Sequence, residues 1–142
     1  MHTDHRRRLL ELLRTERACA LVFASPTRVR NNDCDHRYRP DSDFWYLTGF
    51  AEQDACLVLL PGSTAEEDKT VLFLRERDPL METWNGRRLG IERAPEALGV
   101  DEAHDVSDLW SELPEILSDW VRIVYRTGLD NDTDRKLLDV VA

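Results

Sequence analysis

The stretch Asp33-Cys34-Asp35-His36 puts two carboxylates, a thiol and an imidazole side by side. Those are ligand types that hold zinc or manganese. Successive side chains of an extended loop point opposite ways, however, and no HxxxH, HExxH or CxxC supplies further ligands. A self-contained metal site is therefore disfavoured, and the loop reads as a polar segment that caps or meets something else. Nucleophilic chemistry fares no better. GxSxG is absent, and Cys34 next to His36 in sequence is not the spatial Cys–His pair that a thiol enzyme needs. Gly86, Gly90 and Gly99 have neither P-loop nor dinucleotide-binding spacing. Paired carboxylates are abundant, as they must be in a chain with 28 Asp and Glu residues, and so carry no assignment.

Composition narrows the partners. The 142 residues fit one domain, 42% of them hydrophobic, and the net charge is −9. That charge argues against nucleic acid, whose binding rests on clustered cations, and against an anionic membrane surface. The cationic run Arg6-Arg7-Arg8 lies between Asp4 and Glu11 on a helix and reads as a solvated face. No window has the run of about 18 apolar residues of a membrane span, and the N-terminus lacks a secretion signal. Cys19, Cys34 and Cys56 are odd in number without CxxC spacing, which fits reduced thiols in a cytoplasmic protein.

The elements that would position any site follow from periodicity. Residues 3–16 read as an amphipathic helix with a Leu9, Leu10, Leu12, Leu13 stripe, capped by Thr3 or Asp4. "ACALVFAS" is a strand buried on both faces. Residues 28–43 form a polar loop too long for a hairpin turn, a length usually tied to function. "FWYLTGF", "ACLVLLPG" and "TVLFLRER" read as three successive strands of an antiparallel meander, with Phe44 and Tyr46 on one side of the first and Trp45 and Leu47 on the other. After Pro79, glycines and prolines break the chain into short helical pieces, "AHDV" is a brief edge strand, and Ser107 caps a helix that Pro114 should kink or divide. "VRIVYRTG" returns to a strand and "NDTDRKLLDVVA" begins a helix. The sum is an α/β domain, a mixed β-sheet flanked by helices.

Two strings are more specific than this patterning. "YRPDSDFWYLTGF" (38–50) and "ETWNGRRLG" (82–90) closely resemble the N-terminal domain of bacterial Xaa-Pro aminopeptidase, or aminopeptidase P, of the creatinase/prolidase-like family. "LVFA", "ACLVLL", "VLFLRERD" and "APEALGVDEA" fit the same family, and the likeness runs from about residue 5 to the end. The least family-like part is "RNNDCDHRYR".

The resemblance implies that residues 1–142 are the N-terminal α/β domain that precedes a pita-bread catalytic domain. That second domain, expected to be absent from this chain, holds two manganese ions through two Asp, one His and two Glu. The metals activate a water that cleaves the bond between a first residue and a proline in second position. The chain alone is expected to hold no metal and to be inactive. Its implied work is substrate gating and homo-oligomer contact, with its own catalytic domain, neighbouring subunits and Xaa-Pro peptides as partners. By resemblance Trp84 enters a neighbouring subunit's active site, Asp33 faces the catalytic groove, and Tyr38 and Arg39 belong to the same substrate-binding motif. The alternative is a non-catalytic peptide-binding or assembly module, since a fold does not compel catalysis.

Overall fold

A computed structural model describes residues 1–24, 41–126 and 130–141. Five strands, β1 (Ala18–Phe23), β2 (Cys56–Leu60), β3 (Lys69–Leu74), β4 (Glu102–Asp105) and β5 (Arg122–Tyr125), form one sheet in the order β4-β3-β2-β1-β5. The central pairs β1–β2 and β2–β3 are antiparallel. The outer pairs β3–β4 and β1–β5 are parallel, so the sheet is mixed, as the sequence implies. Alternation along the strands sorts side chains to two cores. Ala18, Ala20, Leu57, Leu59, Leu72 and Leu74 face one way. Cys19, Leu21, Cys56, Val58, Val71 and Phe73 face the other.

Helices α1 (His2–Glu16), α2 (Ser42–Thr48) and α4 (Ala94–Leu98) contribute to the first core through Leu10, Leu13, Phe44, Leu47 and Ala94. Between α2 and α4 in the chain lies α3 (Pro79–Asn85). Helices α5 (Leu109–Leu117) and α6 (Asn131–Val141) cover the second core with Leu109, Leu113, Leu117 and Leu137. Each of these buried leucines removes enough apolar surface to contribute roughly 1.5–3 kcal/mol. No helix among the described residues is long and apolar enough to cross a membrane.

The structure corrects the sequence at four places. The segment "FWYLTGF" is not a strand but mostly the helix α2. The Asp41 carboxylate accepts from the Phe44 N–H (3.0 Å), capping its start, and Gly49 at φ +68° ends it. Phe44, Leu47 and Thr48, at helical spacing, are buried, whereas Trp45 and Tyr46 are 45% and 51% exposed. Aromatic strand propensity thus yields to capping and a helical apolar face. The antiparallel meander exists, but β1 supplies its first strand.

Arg6 does not lie on a solvated face. It is 2% exposed, and its guanidinium donates to the carbonyls of Leu47 (2.7 Å), Leu98 (2.7 Å) and Gly99 (3.3 Å). It thereby satisfies the carboxyl ends of α2 and α4 together. Burial lowers its pKa from the ordinary value, and nearby Asp101 acts in the opposite direction.

The expected caps also differ. Thr3 and Asp4 lie inside α1, whose N-cap is Met1 without a side-chain bond. Asp105, not Ser107, caps the 3-10 turn Val106–Asp108 that leads into α5, accepting from the Ser107 N–H (2.9 Å). Finally, α5 continues through Pro114 and is not divided there. The short helices after Pro79, the edge strand at residues 102–105, the strand at 122–125 and the last helix are all as read.

Candidate functional site

The carboxyl ends of β1, β3, β4 and β5 and the entry to β2 lie at one end of the sheet, since Phe23 pairs with Cys56, Cys56 with Phe73, Phe73 with His104 and Leu21 with Tyr125. In open α/β sheets this is the end that carries ligand sites. The chain leaves it after Ala24 into residues 25–40, so Asp33, Tyr38 and Arg39 lie outside the described residues, as do Cys34 and His36. The chain returns at Asp41, where Arg126 from the end of β5 approaches Asp41 (3.9 Å) and Asp43 (3.2 Å).

Trp84 stands on an excursion, residues 75–90, that leaves the same end after β3. Its indole is 82% exposed, and Leu80, one helical turn earlier on α3, is 74% exposed. The tryptophan does not fold back onto its own domain.

The base of the excursion is well bonded. The Asp78 carboxylate caps α3, accepting from the N–H groups of Leu80 (3.2 Å) and Met81 (3.3 Å). Pro79 at the first helical position has no N–H to satisfy. Glu82 points inward. Its Oε2 accepts from the Asp78 N–H (3.1 Å) before the helix, and its Oε1 accepts from the Arg88 N–H (2.8 Å) after it. Arg77 adds an ion pair at 3.4 Å. These bonds, led by the one from the Arg88 amide, hold the Glu82 carboxyl below its ordinary range.

A second carboxylate anchors the returning leg. Glu52 Oε2 accepts from the Leu89 N–H (2.7 Å), while its Oε1 lies 3.5 Å from Arg75. Arg75 Nε is buried with no hydrogen-bond partner among the described residues. Gly90, at φ +83°, lets the two legs approach: a Cβ there would lie 2.5 Å from Arg77 Cγ.

Among the described residues no group of three or more His, Cys, Asp or Glu side chains could hold a metal ion. These residues therefore do not fit a metal centre, and no chemical step is assigned to them. Cys19 and Cys56 are buried free thiols on the second core, with burial raising both pKa values, Cys19 to about 11. An open groove of about 630 Å³ at the opposite end of the sheet is lined by Arg14, Arg17, Pro61, Gly62, Ser63, Glu67 and Trp120. There Arg14 is already committed to Asp68 and the Gly62 carbonyl.

Sequence reasoning placed Trp84 among short helical pieces broken by glycines and prolines but missed Glu82 and Glu52. The signal for Glu82 was present: an Asp-Pro start with a glutamate four residues after the cap is close to a capping-box pattern. Glu52 had none, because its partner amide is 37 residues away.

Comparison with known proteins gives the family and the fold. Residues 2–125 match the family model described as "Aminopeptidase P, N-terminal domain". The Xaa-Pro aminopeptidase of Haemophilus influenzae is 54% identical over 97 residues, covering 68% of this chain and 22% of that protein. The Xaa-Pro aminopeptidase of Escherichia coli K12 is 46% identical over 101 residues, 71% of this chain and 23% of that protein. The chain thus spans less than a quarter of the length of these relatives. Among solved structures, zinc-substituted E. coli aminopeptidase P in complex with product matches with a TM-score of 0.86 and 37% identity, covering 98% of this chain and 31% of that one. The chain belongs to the aminopeptidase P N-terminal domain family.

Proposed function

We propose that this chain is the substrate-gating and subunit-contacting domain of a cytoplasmic Xaa-Pro aminopeptidase, a homo-oligomeric hydrolase that removes the residue preceding proline. Two manganese ions, held by a separate catalytic domain, would supply the activated water; the residues described above would not hold them. This domain's own contribution is to shape access. Trp84 is the side chain offered to the substrate groove of a neighbouring subunit, and Asp33, Tyr38 and Arg39 are the further residues assigned to substrate binding.

The observation that carries this reading is Trp84 itself. A large aromatic is 82% exposed on a helix whose base is held by two carboxylates. Such rings contribute most when a partner desolvates them, and an amphipathic indole suits a peptide with a proline ring.

The test is reconstitution. The chain is mixed with a separately expressed catalytic domain and manganese, and release of the first residue from an Xaa-Pro-Pro peptide is followed for wild type and Trp84→Ala. Restored cleavage that falls with the variant supports the reading. Equal restoration by both removes Trp84 from the site, leaving the domain an architectural role. Manganese-dependent cleavage by the chain alone would overturn the division of labour. Binding of the peptide without cleavage in any combination would favour the non-catalytic module.

A further inference from the structure

We infer that Glu82 is a positioning residue for Trp84: its carboxylate closes the 78–88 loop and sets the direction in which the indole leaves the domain. The inference rests on the reading of Trp84 as a groove-facing residue and adds the device that aims it.

The geometry carries it in three steps. First, α3 has only seven residues, too short to persist without tertiary support. Second, α3 has little else to hold it, because Leu80, Met81 and Trp84 all point outward and are exposed. Apolar burial, which fixes α1, α2 and α5 on the sheet, is therefore unavailable to it. Third, the Glu82 side chain is the element's inward anchor, with only 6% of it exposed. One carboxylate takes an amide from each side of the helix, at 3.1 Å from Asp78 and 2.8 Å from Arg88.

That double acceptance does what a single cap cannot. The Asp78 cap fixes only the first turn of α3. The bond to Arg88 N–H closes the loop beyond Gly86, where φ is +90° and a Cβ would meet nothing within 4 Å. At Gly86 the N–H donates to the Glu82 carbonyl (3.1 Å) and closes the last helical turn, and beyond it the Glu82 side chain takes the Arg88 amide. Trp84 lies between the two bonded amides and inherits its orientation from them. Chemically the requirement is specific. The two N–H donors reach different oxygens of one side chain, which a carboxylate meets with both of its acceptors. A glutamine there places its NH2 against one of the two amides, donor facing donor.

The experiment combines exchange and kinetics. Hydrogen exchange on this chain compares wild type, E82Q and E82A at the Asp78 and Arg88 amides, with β2 and β3 amides as the reference for intact fold. The expected result is exchange at least about tenfold faster at those two amides in E82A, an intermediate effect in E82Q, and no change in the strands. Cleavage of an Xaa-Pro-Pro peptide is then measured in the catalytically complete protein carrying W84A, E82A, E82Q or the pair E82A/W84A. If Glu82 acts through Trp84, E82A loses about as much kcat/KM as W84A, E82Q recovers part of it, and the double variant is no worse than W84A. Losses that add in the double variant, or an E82A that is silent while W84A is impaired, overturn the inference and leave the Trp84 reading standing. A silent W84A overturns that reading and the inference with it.

Discussion

Arg6 shows how far one side chain can depart from its sequence neighbourhood. It sits in a run of three arginines, yet only Arg6 is buried, with its planar fork spread over carbonyls from α2 and α4. Lysine, a point charge on a flexible stem, cannot reproduce that fork. Arg6→Ala strands the carbonyls of Leu47 and Leu98, and unsatisfied buried acceptors cost about 1–3 kcal/mol each. Urea unfolding of Arg6→Ala is expected to show a loss of about 3 kcal/mol, against under about 0.5 kcal/mol for Arg8→Ala on the exposed face. A second residue-scale expectation concerns the thiols. Burial holds the Cys19 thiol up at about 11 and raises that of Cys56 as well, so both are protonated at pH 8 as well as covered. Peptide mass spectrometry after iodoacetamide treatment at pH 8 should find both unmodified in the folded chain and both alkylated in urea. Rapid labelling of the native protein at Cys56 would contradict the packing of the second core.

At the scale of elements, α2 and α3 hold their places by different means. Helix α2 has a buried face and two defined ends, so loss of one end weakens it without moving it. Asp41→Ala removes the bond to the Phe44 N–H and should cost about 1 kcal/mol by denaturant melt, the usual worth of an N-cap. Helix α3 depends on carboxylates. Glu82 has a depressed folded pKa, so its contribution is full at neutral pH, above the ordinary carboxylate range. It declines as pH falls from that range to the lower folded value and is gone below it. Arg77 faces it, while the Arg88 guanidinium is turned to the Glu76 carbonyl. Protection of the Arg88 amide should therefore be full near neutral pH and weaken progressively as pH falls below the ordinary glutamate range, as read by hydrogen exchange corrected for intrinsic rates. Protection that does not change with pH would show that the clamp does not stabilise the ionised form.

For the whole molecule, the decisive feature is a single sheet shared by two cores. Residues that alternate along β1, β2 and β3 feed opposite layers, so neither helical layer has a sheet of its own. Unfolding should then be one cooperative transition. Leu10→Ala in α1 and Leu113→Ala in α5, on opposite faces, are each expected to cost about 2–5 kcal/mol. Each should shift the tryptophan-fluorescence and far-ultraviolet dichroism midpoints together. Two separated transitions in either variant would show that the layers fold independently.

Much of this molecule is written in local patterns. The class, the mixed sheet, the buried strand β1, the helix α6 and the family itself follow from periodicity and from two short strings, because burial alternation and turn residues act over a few positions. What local pattern did not decide are the matters settled by distant partners. The aromatic run at 44–46 became helical because its apolar face at i, i+3 and i+4 meets α1 and the sheet. Arg6 left the surface because two helix ends, 41 and 92 residues away, needed donors. Glu52 reached the arm that carries Trp84 only across 37 residues of chain. The first case is apolar burial; in the other two a polar group had to be satisfied, and the partner that satisfies it is chosen by the packed fold rather than by its neighbours in sequence.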